Sequence, residues 1–315
     1  GVETTTGPLG QGFANAVGLA LAEKILESRF NRDNFKIVDH YTYVFVGDGC
    51  LMEGVSHEAA SLAGVHKLSK LICIYDDNGI SIDGNVEGWF IDNTPQRFEA
   101  YGWNVIPNID GHNSAEITKA LKAAKASNLP TLICCKTIIG FGSPEKSGTS
   151  SAHGSPLGDG EVLSTRQALD WQFPPFEIPD EYMEAWDARE KGQKLEATWH
   201  EEFASYALRF PELAQEYTRI MAGLLPEVWD SSMDALLENV TEKGERKASR
   251  SSSSDVIAAL ASILPELVGG SADLTGSNLT SWEKASPVSD LNPGGNYIYY
   301  GVREFGMTAI VSGLA

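Results

Sequence analysis

An aspartate and an asparagine, Asp48 and Asn78, each follow a run of strand-forming residues, in Gly47-Asp48-Gly49-Cys50 and Asp76-Asp77-Asn78-Gly79. Taken singly, either is an ordinary turn former or helix cap. Taken together, a carboxylate, a carboxamide and a nearby backbone carbonyl are hard oxygen donors, suited to Mg²⁺ or Ca²⁺ bridging a diphosphate. A second string, Gly7-Pro8-Leu9-Gly10-Gln11-Gly12, places glycines before an Ala- and Leu-rich stretch. Such glycines permit close backbone approach to an anion or a ring at a helix N-terminus. A loop that merely turns has the same composition.

The elements that must position these groups follow from hydrophobic pattern. Residues 41–46 and 71–75 are short, apolar and stopped by turn residues, and read as buried parallel strands. Residues 53–69 between them carry Ala, Leu, Glu and His at helical spacing, which makes a β-α-β unit. Asp48 and Asn78 then stand at the carboxyl ends of strands, where open α/β sheets bind ligands. Residues 13–29 and 114–127 read as helices, and 103–106 and 131–135 as further strands. The alternation predicts an α/β fold of parallel sheets flanked by helices.

Residues 140–160 are rich in Gly, Ser and Pro and read as a long loop, a length that is usually functional or disordered. Residues 171–242 read as mostly helical, a connecting segment. The Ser-rich run 247–254 resembles a flexible linker, followed by a Ser- or Asp-capped helix over 255–264 and a strand at Leu267-Val268. We expect a first domain over 1–214, with its core in 1–160, and the start of a second over 215–315.

Composition narrows the function classes. The chain has 315 residues, 42% apolar, and no apolar stretch near membrane-spanning length. Its 24 basic against 43 acidic residues give a net charge of −19, which argues against nucleic acid or an anionic membrane as partner. Cys50, Cys73, Cys134 and Cys135 lack metal-ligand spacing and read as reduced thiols of a cytoplasmic protein. The chain opens at Gly1 without an initiator Met or targeting pattern and stops in the apolar run 307–315 with no terminating turn, and reads as a fragment of a longer chain.

Several strings carry a more specific signal. The Gly-Asp-Gly with Asn some thirty residues later resembles the thiamine diphosphate signature. Residues 3–12, 47–54, 75–84, 136–144, 151–156, 269–274 and 300–307 closely resemble the bacterial transketolase family, in one order along the whole chain. The resemblance implies a thiamine diphosphate-binding fold and the reversible transfer of a two-carbon ketol group from a ketose phosphate to an aldose phosphate. That is a transferase reaction of the pentose phosphate pathway.

It also implies residue roles. Asp48, Asn78 and the carbonyl of Ile80 match the ligands of Mg²⁺, with Ca²⁺ or another divalent ion possible, and Gly49 leaves room for the diphosphate. Gly7, Pro8 and Leu9 match the segment lining the coenzyme rings, and Leu9 with Ile82 matches the apolar wedge between them. For these two, ordinary core packing is the bland alternative. Glu304 matches the acid that activates the coenzyme and is expected in dry surroundings. Otherwise it is a surface helix residue. His153, otherwise an idle loop histidine, matches a contact to diphosphate and sugar that assists proton transfer. Arg250 and Ser277 match sugar-phosphate contacts and Asp273 a substrate- or cofactor-side carboxylate, with a helix-flanking charge and a strand-end turn as the plain readings of Arg250 and Asp273. Glu53 is placed beside the diphosphate and between subunits. His40, His57, His66, His112 and His200 match no role.

The family's architecture further implies a homodimer, with Asp48 and Glu304 meeting across subunits. One departure is local: residues 147–152 read Ser147-Gly148-Thr149-Ser150-Ser151-Ala152, unlike the commoner bacterial wording. Two rivals stand beside this reading. One is another thiamine enzyme, such as a phosphoketolase or dihydroxyacetone synthase. The other is a non-catalytic nucleotide-binding protein, although residues 7–12 follow no strand and lack a Lys-Ser/Thr ending.

Overall fold

A computed structural model describes residues 2–315; Gly1, which opens the expected first domain, lies outside them. The chain forms two compact units interleaved in sequence. One comprises residues 1–21, 40–196 and 309–315, the other 22–39 and 197–308.

In the first unit, four strands form one parallel sheet in the order β1 (Thr42–Gly47), β2 (Leu71–Asp77), β6 (Thr131–Lys136), β5 (Asn104–Asp110). Buried runs of β-branched residues and the lack of a charge before position 76 in β2 explain why the central strands are central. Register places Gly47 beside Asp76, so the carboxyl ends of β1 and β2 lie level. Helices α2 (Asp48–Met52) and α3 (Gly54–Val65) return the chain between these strands, so Asp48 opens a helix directly at a strand end. A small hairpin, β3 (Ile80–Ser81) with β4 (Gly84–Asn85), follows β2. Helix α4 (Thr94–Ala100) is capped by Asn93 and α5 (Ser114–Lys125) by Asn113.

The sheet core packs Ile72 and Ile133 against Ala120 and Ala124 of α5. A second cluster stacks Phe13, from α1 (Gln11–Phe30), on Trp103, whose indole N–H donates to the Ala60 carbonyl at 2.8 Å. The loop expected over 140–160 is ordered by its own bonds. Glu161, in α6 (Asp159–Ala168), accepts from the Ser143 hydroxyl and from the Glu145 amide at 2.8 Å, and these bonds hold its carboxyl below the usual range.

The second unit is largely helical, as the pattern over 171–242 suggests. Helices α7 (Asp180–Trp186), α8 (Arg189–Arg209), α9 (Pro211–Met221) and α10 (Trp229–Lys243) follow in order, although α7 and the first turns of α8 belong to the first unit. Tyr206 is fully buried and donates to the Phe30 carbonyl at 2.8 Å, and Arg219 grips Glu266 with two bonds. The Ser-rich run is not a linker. It forms the first turns of α11 (Ser249–Ala261), which starts earlier than expected and without a side-chain cap. Lys247, just ahead of this helix, pairs with Asp255 within it. The expected strand at 267–268 lies slightly later, as β7 (Gly269–Ser271), which pairs in parallel with β8 (Tyr297–Tyr299). Helix α12 (Thr275–Asn278) lies between these strands and α13 (Glu304–Leu314) follows them.

Candidate functional site

Asp48 is the buried centre of the site. It is 5% exposed, and its two carboxylate oxygens accept from the Tyr75 hydroxyl at 2.5 Å and the Gly79 amide at 3.0 Å. Burial pushes its carboxyl above the ordinary range; the Tyr75 and Gly79 bonds pull the other way, and the nearby Asp77 and Asp76 push it up again. Burial also raises the Tyr75 hydroxyl, followed by its bond to Asp48. Tyr75 is therefore a permanent donor, which the sequence reading treated only as part of a strand.

Asn78 follows on the next strand. Its carboxamide oxygen accepts from the Ile80 amide at 2.9 Å, which folds the chain back so that Ile80 faces the same space. That space is a cavity of about 790 Å³ whose lining includes Leu9, Asp48, Gly49, Asn78, Ile80, Ile82 and His153. Seven residues singled out in sequence thus line one cavity. A Cβ at Gly49 would lie 2.9 Å from the Leu9 Cδ1 atom, the far end of an exposed side chain. Leu9 and Ile82 are 46% and 74% exposed, so they are not core packing within this chain.

Other expected residues fall elsewhere. Gly7 and Pro8 are exposed ahead of α1 and do not line the cavity. Glu53 is exposed at the junction of α2 and α3 and also stays out of it. In the second unit, Arg250 lies exposed in the first turn of α11. Asp273 follows β7 with φ at 64°, and Ser277 is exposed on α12. Glu304 opens α13 and is exposed, so the dry surroundings expected for it are absent in the single chain. Of its neighbours Tyr300 and Gly306 are buried, while Val302 and Phe305 face outward with Glu304.

The cavity also recruits groups that sequence reasoning left without a role. Asp76, Thr137, Ile138, Ile139 and Gly140 line it, and the Thr137 hydroxyl donates to Asp76. The signal was present, because residues 136–144 stand among the family-like strings. Beneath the wall, Arg97 donates to the Leu51 carbonyl at 2.9 Å and pairs with Asp92 at 2.6 Å, which ties down the helix that Asp48 opens. The four cysteines are free; burial, then Asp77, pushes the Cys134 thiol up to about 12, an unreactive state.

The lining contains Asp48, Asp76 and Asp83 and neither lysine nor arginine. Among the described residues no three His, Cys, Asp or Glu side chains gather to hold a metal. A cation here would take one carboxylate, neutral oxygens from Asn78 and Ile80, and oxygens of a bound phosphate, a donor set that suits Mg²⁺ or Ca²⁺. No helix among the described residues is long and apolar enough to cross a membrane.

Comparison with known proteins identifies the family. Residues 1–226 match the family described as transketolase, thiamine diphosphate binding domain, and residues 245–315 match transketolase, pyrimidine binding domain. Transketolase 2 of Vibrio vulnificus and transketolase 1 of Escherichia coli are each 56% identical over all of this chain. The chain spans about half the length of these curated relatives, 48% of each. The transketolase from Leishmania mexicana superposes with a TM-score of 0.90 at 41% identity, covering 100% of this chain and 47% of that one. A Pichia stipitis transketolase in complex with sedoheptulose-7-phosphate superposes with a TM-score of 0.91 at 40% identity, with the same coverage.

Proposed function

From the premise that this chain belongs to the transketolase family, we propose that it supplies the diphosphate-binding wall, and part of the partner-facing wall, of a thiamine diphosphate enzyme. The reaction is the transfer of a two-carbon ketol group from a ketose phosphate to an aldose phosphate, in the pentose phosphate pathway of the cytoplasm. The observation that carries this reading is the charge of the cavity: three aspartates line it and no lysine or arginine does. A diphosphate enters such a space only with a divalent cation between it and the carboxylates. A nucleotide site of the Gly-rich, lysine-bearing kind is disfavoured by the same observation.

In this reading Asp48, Asn78 and the Ile80 carbonyl hold Mg²⁺, and Gly49 keeps the diphosphate close to the backbone. Leu9 and Ile82 orient the coenzyme rings, with Gly7, Pro8 and Glu53 outside the cavity in a supporting part. When bound, thiamine diphosphate supplies a nucleophilic carbon and an electron sink. His153 holds or moves a proton at the sugar hydroxyl next to the breaking bond. Arg250 and Ser277 bind the sugar phosphate, with Asp273 beside them. Glu304 shares its proton with the pyrimidine ring. It comes from a second copy of the chain, so a homodimer completes each site. The exposed position of Glu304 in the single chain favours that arrangement. The functional division into 1–214 and 215–315 belongs to the same reading.

Calorimetry on the complete protein that carries this sequence tests it. Thiamine diphosphate is expected to bind with Mg²⁺ and to lose that binding when a chelator removes the metal. Preferential binding of Mg²⁺-ATP overturns the proposal.

A further inference from the structure

One wall of the cavity, Thr137 to Gly140, is a loop with no regular structure of its own, yet the cavity's shape depends on it. On one side the end of β2 holds it: the Thr137 hydroxyl donates to Asp76 and the Thr137 amide to the Asp77 carbonyl at 3.4 Å. On the other side stands His112. Its Nε2 accepts from the Ile138 amide at 3.0 Å, and its ring stacks on Phe141, centroids 4.1 Å apart and planes 22° from parallel. An accepting Nε2 carries no proton, so the neutral ring is protonated at Nδ1.

The turn that carries His112 is itself pinned. Asp110 accepts from the His112 amide at 2.9 Å, and the Gly111 amide donates to the Lys136 carbonyl at 2.8 Å. Gly111 is needed for this approach: a Cβ there would lie 2.4 Å from Thr137 Cγ2 and 2.9 Å from the Lys136 oxygen. The turn after β5 therefore presses directly against the end of β6 and delivers the imidazole to the cavity loop.

We infer that His112 is a positioning residue: through the Ile138 amide and the Phe141 ring it fixes the cavity wall formed by Ile138, Ile139 and Gly140 against the bound coenzyme. The inference rests on the proposed function for the identity of that coenzyme. His112 does not line the cavity, and its bond to Ile138 is solvent-exposed. Water can replace an exposed partner at little cost in stability, so the bond sets position rather than folding free energy.

The test uses the complete protein with two variants. H112F keeps a flat ring against Phe141 and removes the acceptor; H112Q keeps an acceptor oxygen near the place of Nε2. Thiamine diphosphate affinity is measured by calorimetry with Mg²⁺, alongside amide hydrogen exchange at Ile138 and Tm. H112F is expected to weaken affinity about threefold to tenfold and to speed Ile138 exchange by a similar factor, the range of one net hydrogen bond. H112Q is expected to stay within about twofold of the parent on both, the margin of a retained bond. Tm is expected to change little in either.

If H112F binds the coenzyme as the parent does, the inference is overturned, whatever happens to Tm. Equal loss in H112F and H112Q also overturns it, since the acceptor would then not be the cause. A parent that fails to bind thiamine diphosphate defeats the proposed function instead, and Ile138 exchange in the two variants still decides whether His112 holds the loop. Should H112F not fold, H112N takes its place, because its shorter carboxamide does not reach Ile138.

Discussion

Asp48 is 5% exposed and its two carboxylate oxygens each accept a hydrogen bond from this chain, whereas Glu304 stands exposed at the first turn of α13. Both are acids that the proposed chemistry depends on, yet their surroundings are opposite. The strand end builds the environment of Asp48 locally: Tyr75 lies on the neighbouring strand, Gly79 lies in the turn after it, and register keeps Gly47 level with Asp76. Such a site is organised before any ligand arrives. Glu304 has no comparable shell, and in the proposed homodimer its shell is contributed by a second subunit. On that proposal one wall is a property of the fold and the other a property of assembly.

The largest effect expected from this contrast is at Asp48. Asp48→Ala removes the only buried carboxylate of the proposed ligand set and leaves neutral oxygens to hold a divalent ion. Coenzyme affinity should fall by several kcal/mol, roughly the cost of an uncompensated charge in a low-dielectric cleft. The same requirement gives a pH dependence. Binding needs ionised Asp48, whose carboxyl sits above the usual range, so affinity in the parent should decline on acidification earlier than an ordinary carboxylate predicts. Unchanged affinity and unchanged Mg²⁺ dependence in Asp48→Ala would refute the assignment.

Next in size is Glu304. Glu304→Gln keeps shape and hydrogen bonding but has no proton to share. Coenzyme binding should weaken little, while hydrogen–deuterium exchange at the reactive coenzyme carbon slows by on the order of a hundredfold, as expected for a lost acid–base step. Mixing inactive Asp48→Ala and Glu304→Gln chains should restore some activity, because one site of the mixed dimer pairs an intact Asp48 with Glu304 of the partner subunit. Exchange as fast as in the parent removes Glu304 from its role. Failure of the mixing alone, with subunit exchange demonstrated, removes the shared site.

The same contrast explains what was legible in sequence. Asp48 and Asn78 could be read because strand period and turn chemistry are local, and local rules fix where strands end; Gly49 and Ile80 came from the family-like strings. Leu9, Ile82 and His153 joined the same cavity through family-like strings, not through any pattern in their own neighbourhood. His112 and Thr137 were passed over because their partners lie across the sheet, Ile138 for one and Asp76 for the other, and a contact between neighbouring strand ends leaves no periodic trace. The Ser-rich run 249–254 misled for a related reason. Its composition suggests a linker, but the serines form one continuous helix with the apolar residues that follow. Glu304 illustrates the opposite limit, since its expected dryness is not a property of its own chain.

The smallest expected effect separates the two carboxylates by stability alone, in protein free of metal and coenzyme. The folded chain raises the Asp48 carboxyl above its ordinary value of 3.8, chiefly through burial. Between that value and the raised one, the folded state binds more protons than the unfolded state. Stability from this group is therefore full below the ordinary value and is lost as pH rises through the raised one. At neutral pH the buried charge is a net cost. Asp48→Asn removes it and keeps the Gly79 contact through the carboxamide oxygen, while its nitrogen donates to the Tyr75 oxygen and the Tyr75 hydroxyl proton loses its acceptor, which offsets part of the gain. The variant should melt about 2–4 °C higher at neutral pH, the shift made by about 1 kcal/mol in a domain of this size. The gain should shrink in acid, where the parent is protonated as well. Glu304→Gln, exposed in the single chain, should stay within about 0.5 kcal/mol of the parent when the chain is unassembled. A stabilised Asp48→Asn that no longer binds coenzyme marks Asp48 as a strained functional charge rather than a structural one. A destabilised Asp48→Asn at neutral pH means that Tyr75 and Gly79 already compensate the buried charge, and the cation is then not needed to explain it.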